Sequence, residues 1–196
     1  MIFTSQPKQI SREETIFKPY REAFGSFPSD GQYWTLCAKC YEGGLIPESE
    51  YAHAMSLIKP HQFYGVDIDG DAIRANRNLN GNFFLGDFYS VMSRYEDFRP
   101  SVVNLDCLRT FEAEKLNIKR VFLLLHEHNN FLFNFNVLLQ NYRVKPRDPN
   151  EIFSFLMGDR EIARRLGEWN CSARVYPYKG IGTGTVMFSV TLIKNS

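Results

Sequence analysis

QFYGVDIDGDAIRANRNLNGNFFLGDF, residues 62–88, decides the fold. Residues 62–69 read as a buried strand that ends in the carboxylates Asp67 and Asp69. Over 70–79 the spacing changes, and Ala72, Ile73, Asn76 and Leu79 recur at helical intervals. Residues 82–87 return to a strand ending in Gly86 and Asp87. A strand, a helix and a second strand in so short a stretch predict a parallel pair joined by a right-handed crossover.

The same alternation extends both ways. Toward the N-terminus, 33–39 (YWTLCAK) is a short β-rich run. A loop with Gly43 and Gly44 follows it, then a helix with Pro47 at its first position. Toward the C-terminus, a short helical stretch covers 89–97, a strand 101–107, and a long helix 110–129 carries Ile118, Val121, Phe122 and Leu125 on one face. In 131–139, Phe131, Phe133, Phe135 and Val137 alternate with Leu132, Asn134 and Asn136, the period of a strand. Residues 148–169 read as a helix in two pieces broken near Gly158, with Asp148 and Pro149 as its cap pair. A hairpin formed by 172–180 and 185–193 closes the chain. The predicted fold is α/β: a Rossmann-like three-layer sandwich around a mostly parallel seven-stranded sheet, ending in an antiparallel C-terminal hairpin. Residues 31–196 make up this domain. Residues 1–30, punctuated by Pro7, Pro19 and Pro28, are expected to be an extension packed on it, with one short helix around 11–24.

The whole chain has 196 residues, and Lys plus Arg at 23 against Asp plus Glu at 22 leave a net charge of +1. That balance gives no general electrostatic pull toward nucleic acid or membrane, though it permits a local basic groove. No run approaches the roughly 18 apolar residues of a membrane-spanning helix. The N-terminus lacks the layout of a secretion signal, so a cytoplasmic protein with free thiols at Cys37, Cys40, Cys107 and Cys171 is expected.

In an open parallel sheet the ligand sits beyond the carboxyl ends of the strands. Asp67 and Asp69 are there to accept from ribose hydroxyls, or to cap the helix that starts at Gly70; Asp67 is taken for the ligand and Asp69 for the helix, with the reverse left open. Asp87 can bond a purine amino group with Phe88 against the ring, or cap the helix that follows. Cys37 and Cys40 form a C-x-x-C pair, but no second pair completes a zinc site and the strand order is not that of thioredoxin. Lys119, Arg120, Arg143, Lys145, Arg147, Arg160, Arg164 and Arg165 make the later half locally basic, which fits a solvated face or a nucleic-acid groove.

GVDIDGDAIRANR (65–77), FLGDF (84–88) and the element order resemble the class I S-adenosylmethionine-dependent methyltransferases over roughly residues 31–196. The resemblance implies S-adenosylmethionine as cofactor, with Asp67 (Asp69 as alternate) on its ribose and Asp87 on its adenine. The chain departs from the family after its first strand, where WTLCAKCYEGG (34–44) has no strand-end acid and its glycines come late. Either Ala38 with Gly43 and Gly44 in a longer loop cradles the methionine part, or the site has lost the cofactor. The fourth strand ends in Asn104-Leu105-Asp106-Cys107, and because methyltransferases place groups that act on the acceptor there, the resemblance implies Asp106 and Asn104 as the candidate catalytic residues. The expected activity is methyl transfer to an acceptor, with a nucleic acid as the best guess, and the alternative is an inactive binding or scaffold protein.

Overall fold

The strand–helix–strand unit over 62–88 forms where the sequence pattern puts it. Strand β2 (Phe63–Asp67) pairs in parallel with β3 (Asn82–Leu85), and helix α4 (Gly70–Asn76) joins them. Gly65 of β2 lies so close to its neighbours that a Cβ would stand 2.8 Å from the Cys37 Cβ and 3.0 Å from Phe83 Cδ1. The computed structural model describes residues 6–107, 111–125, 128–138, 157–179 and 186–195.

Among the described residues seven strands form one sheet in the order β3-β2-β1-β4-β5-β7-β6. The remaining strands are β1 (Gln32–Leu36), β4 (Pro100–Leu105), β5 (Phe131–Leu138), β6 (Cys171–Lys179) and β7 (Val186–Lys194). Strands β3, β2, β1, β4 and β5 are parallel; β7 runs antiparallel to both β5 and β6. This is the α/β sheet with the antiparallel C-terminal hairpin that the alternation predicts.

The helices divide between the two faces. Phe131, Phe133, Phe135 and Val137 of β5 enter one core with Trp34, Val103 and Leu192. Helix α6 (Phe111–Leu125) adds Phe122 to that core, and α7 (Arg160–Glu168) adds Ile162 and Leu166. The other face buries Tyr33, Phe63, Val102, Leu132 and Ile193 against the N-terminal segment. That segment is more helical than expected: α1 (Gln6–Arg12), a π-helical turn (Glu13–Phe17) and α2 (Lys18–Phe24) follow one another, and Ile16, Phe17 and Tyr20 are fully enclosed. Burying so much aromatic surface stabilises the docking of residues that carry little pattern of their own.

Caps account for most boundary differences. Helix α3 (Glu50–Ala54) starts later than Pro47, because the Ser49 side chain accepts from the Ala52 N–H at 3.2 Å and so sets the first turn. Asp87 caps α5 (Phe88–Met92), which ends earlier than the expected 97. Asp159 caps α7, accepting from Glu161 N and Ile162 N at 3.0 and 3.2 Å. The expected cap pair Asp148–Pro149 and the hairpin turn near 181–184 lie outside the described residues.

Candidate functional site

Where β1, β2, β3 and β4 end, the chain leaves the sheet toward helices and opens a cleft of about 900 Å³. Leu36 and Ala38 line it from β1, Asp67 and Asp69 from β2, Gly86 and Asp87 from β3, and Leu105 and Asp106 from β4. Its volume falls in the range of small-molecule sites.

The acids at the tips of β2 and β3 are anchored by local bonds. The Asp67 Oδ1 accepts the Asp69 N–H at 3.0 Å, which fixes the bend at the end of β2. Asp69 caps α4, its Oδ1 accepting from Asp71 N at 2.9 Å and Ala72 N at 3.3 Å. Asp87 caps α5 in the same way, with Oδ1 accepting from the Ser90 N–H at 2.9 Å and the Ser90 hydroxyl at 2.8 Å. Capping and facing the cleft are therefore compatible. A carboxylate has two oxygens and about four acceptor positions, so a bond to Oδ1 leaves capacity for a ligand. Phe88 is buried with its ring against the core yet still lines the cleft. Ile68, between the two β2 acids, is 78% exposed there. Nothing in the strand pattern marks it as a cleft residue; its one signal is an apolar side chain held between two strand-end acids.

The β4 end is occupied by charge. Asp106 accepts from Lys8 Nζ at 2.8 Å, from Arg12 at 3.4 Å and from Asn136 Nδ2 at 2.6 Å. Burial alone would raise its pKa, but Lys8 and Arg12 outweigh that and hold it below the usual carboxylate range. Such a carboxylate is a fixed negative charge and a weak general base. Arg12 also lies 3.4 Å from Glu50, and Glu50 accepts from the Tyr33 hydroxyl at 2.8 Å and from Asn104 Nδ2 at 2.7 Å. Asn134 donates to Asn104 Oδ1 at 2.7 Å, and Ser189 and Thr191 donate to Asn134 Oδ1. The buried amides of Asn104 and Asn134 are thus satisfied within a network between the sheet and the N-terminal helices, whereas Asn136 Oδ1 accepts no bond among the described residues.

Two expected groups do not reach the cleft. Asn104 is turned into that buried network, away from the lining. Gly43 and Gly44 sit in a tight turn closed by the Tyr41–Leu45 bridge and the Glu42 N–H on Gly44 O; Gly43 takes φ +66°, which the turn needs, and neither glycine lines the cleft. The cleft lining carries six carboxylates (Asp67, Asp69, Asp71, Asp87, Asp106 and Glu114) against two lysines, Lys8 and Lys39. Of the basic residues in the later half, Lys119 pairs with Asp159 and Glu161, Arg164 pairs with Glu168, and Arg120 lies over the Tyr89 ring. Arg143, Lys145 and Arg147 lie outside the described residues.

No protein-family model and no curated protein sequence matches the chain. Solved structures do. The plantazolicin methyltransferase BpumL, in complex with SAH, matches with a TM-score of 0.55 at 14% identity over 97% of this chain and 85% of that one. A probable spermidine synthase from Corynebacterium glutamicum matches with a TM-score of 0.57 at 13% identity over 100% of this chain and 68% of that one. The 16S rRNA methyltransferase RmtF, in complex with S-adenosyl-L-homocysteine, matches with a TM-score of 0.50 at 12% identity over 95% and 64%. The chain has the Rossmann-like fold of the class I S-adenosylmethionine-dependent methyltransferases. At this identity the likeness is one of fold.

Proposed function

We propose that the chain is an S-adenosylmethionine-dependent methyltransferase. The observation that carries the reading is that Asp67 and Asp87, at adjacent strand tips, line one cleft. Asp67 is placed to accept from the ribose hydroxyls and Asp87 from the adenine amino group, with Ile68 and Phe88 packing on the base and Ala38 leaving room at the β1 exit. The charge of the cleft points the same way. An excess of carboxylates favours a cationic ligand and repels polyphosphates, which sets a sulfonium amino acid apart from nucleotides such as ATP or NAD.

When bound, S-adenosylmethionine supplies a methyl group made electrophilic by the sulfonium. The protein's part is alignment and exclusion of water. Asp106, kept ionised by Lys8 and Arg12, orients an acceptor amine at the β4 end. Asn104 acts one step back: its amide and that of Asn134 sit in the network behind Asp106, so it is a positioning residue. For a nucleic-acid acceptor the support is the rRNA methyltransferase among the structural neighbours, while the acidic cleft favours a small amine.

Isothermal titration with S-adenosylhomocysteine tests the cofactor. Binding by the wild type that weakens in Asp67→Asn and Asp87→Asn supports the reading. Folded protein with no heat of binding at high micromolar ligand overturns it and leaves a binding or scaffold role. The altered β1 exit and the paired Lys8–Asp106 at the β4 end favour that second reading.

A further inference from the structure

The β1 exit holds a feature that the cofactor reading does not use. Cys37 and Cys40 face each other with their sulfurs 3.4 Å apart, and both thiols point at the Ala38 carbonyl, at 3.3 and 3.2 Å. Asn76 of α4 ties the group together: its Oδ1 accepts the Cys40 N–H at 2.7 Å, and its Nδ2 donates to Ala38 O at 3.1 Å and to Cys37 Sγ at 3.6 Å. Both cysteines are enclosed, at 1% and 2% exposure, whereas Ala38 between them is exposed in the cleft. The pair therefore lies one residue beneath the cleft surface.

We propose that Cys37 and Cys40 are a reversible dithiol–disulfide site, oxidised by small hydroperoxides, whose state sets the conformation of the cleft-lining residues 38–39. Closing the bridge brings the sulfurs from 3.4 Å to about 2.05 Å. The thiol hydrogens are shared between the Ala38 carbonyl and the partner sulfur, and when they leave, the carbonyl keeps only the Asn76 Nδ2 donor among these groups. The segment held between the sulfurs then has to rearrange where it faces the ligand.

The bond from Cys37 draws the Cys40 thiol below its ordinary pKa, while that same bond and burial push Cys37 up. Cys40 is thus the thiolate that reacts first. Its sulfur attacks the peroxide O–O bond to form a sulfenic acid and releases one water once protonated. The Cys37 thiol then displaces the sulfenic hydroxyl, forming the S–S bond and releasing a second water. Two thiols and one H₂O₂ give one disulfide and two waters, so the two electrons lost by sulfur are those gained by the peroxide. Access requires local opening of the loop over 41–49, which the Tyr41–Leu45 bridge and the backbone bonds Glu42 to Gly44, Ile46 to Cys40 and Ser49 to Ile46 hold closed.

The test treats the full chain with hydrogen peroxide and follows intact mass, alkylation-mapped peptides and hydrogen exchange. The expected result is a loss of about 2 Da, with Cys37 linked to Cys40 and restored by dithiothreitol. Exchange across residues 36–46 should change on oxidation, and Cys40→Ser should abolish both effects. Peroxide that leaves both cysteines alkylatable, adds oxygen without a bridge, or links other cysteines overturns the proposal. So does a bridge without altered exchange at 36–46. Where S-adenosylhomocysteine binds, the oxidised form should bind it at least about fivefold more weakly, the low end of ordinary coupling between sites, and equal affinity counts against the proposal. This last readout rests on the cofactor reading; if the ligand binds neither form, that reading fails, while mass and exchange still decide the bridge.

Discussion

Gly65 shows how tightly the β1 exit is built. With the Cys37 Cβ 2.8 Å and the Cys37 sulfur 3.0 Å from where a Cβ would stand, a methyl group at 65 has no space. Gly65→Ala is expected to destabilise the protein by about 1–3 kcal/mol, the usual cost of overpacking. At this chain size each kcal/mol lowers the melting temperature by about 2–4 °C. Calorimetry checks it, and an unchanged melting temperature means the strands accommodate the methyl group. Asp67 sits at the far end of the same strand and plays no part in the core. Asp67→Asn removes the charge and keeps an oxygen that can accept from the Asp69 N–H. The loss of charge-assisted bonds to a ribose, worth about 1.5–3 kcal/mol, predicts roughly tenfold or weaker binding of S-adenosylhomocysteine with a normal melting temperature. Titration and thermal melting together separate this from simple unfolding.

At the scale of elements, the N-terminal helices are held to the sheet by ions as well as aromatics. Asp106 neutralises Lys8 and Arg12 in a setting where each charge is almost fully enclosed. Asp106→Ala removes the carboxylate that Lys8 and Arg12 share and leaves Arg12 to Glu50, and a loss of about 3–5 kcal/mol is expected in chemical denaturation. Because the folded pKa of Asp106 is depressed, its contribution is fully present above the unfolded value of about 3.9 and is lost as pH falls through the lower folded value. Stability measured against pH should therefore drop below about pH 4, and Asp106→Ala should flatten that drop. This contact was not legible in the sequence: Lys8 and Asp106 are 98 residues apart, and no local pattern marks a lysine near the N-terminus as the partner of a strand-end acid. What was legible rests on short-range rules. The alternation in β5 and the Asp69 cap on α4 follow from period and capping chemistry, and so does the turn from β3 into α5 at Asp87. Amides such as Asn134 and Asn136 on a core strand need partners wherever they are buried, but that these are Asn104, Ser189 and Asp106 depends on strand order. Gly43 and Gly44 show the opposite failure, since glycines near a strand end suggest a ligand loop and here serve a local turn.

For the whole molecule, the cleft joins the ends of four strands, and a ligand there touches the exits of all four at once. A ligand that binds only the folded state stabilises it by an amount set by its concentration over Kd, about 2.7 kcal/mol at a hundredfold excess. At about 2–4 °C per kcal/mol, S-adenosylhomocysteine at that excess should raise the melting temperature by roughly 5–11 °C. ATP and NAD, as polyanions in an acidic cleft, should raise it little at the same concentration. The six carboxylates also predict that S-adenosylmethionine, which carries the extra sulfonium charge, loses more affinity than S-adenosylhomocysteine as salt rises. The measurement is a set of melting curves with each of the four ligands at low and high ionic strength. A larger shift with ATP or NAD than with the two adenosyl amino acids would reassign the cleft to a phosphate-bearing nucleotide. Equal salt dependence for the two adenosyl ligands would mean that the acids lie too far from the sulfur to act on it, and would move the reacting end of the cleft away from Asp106.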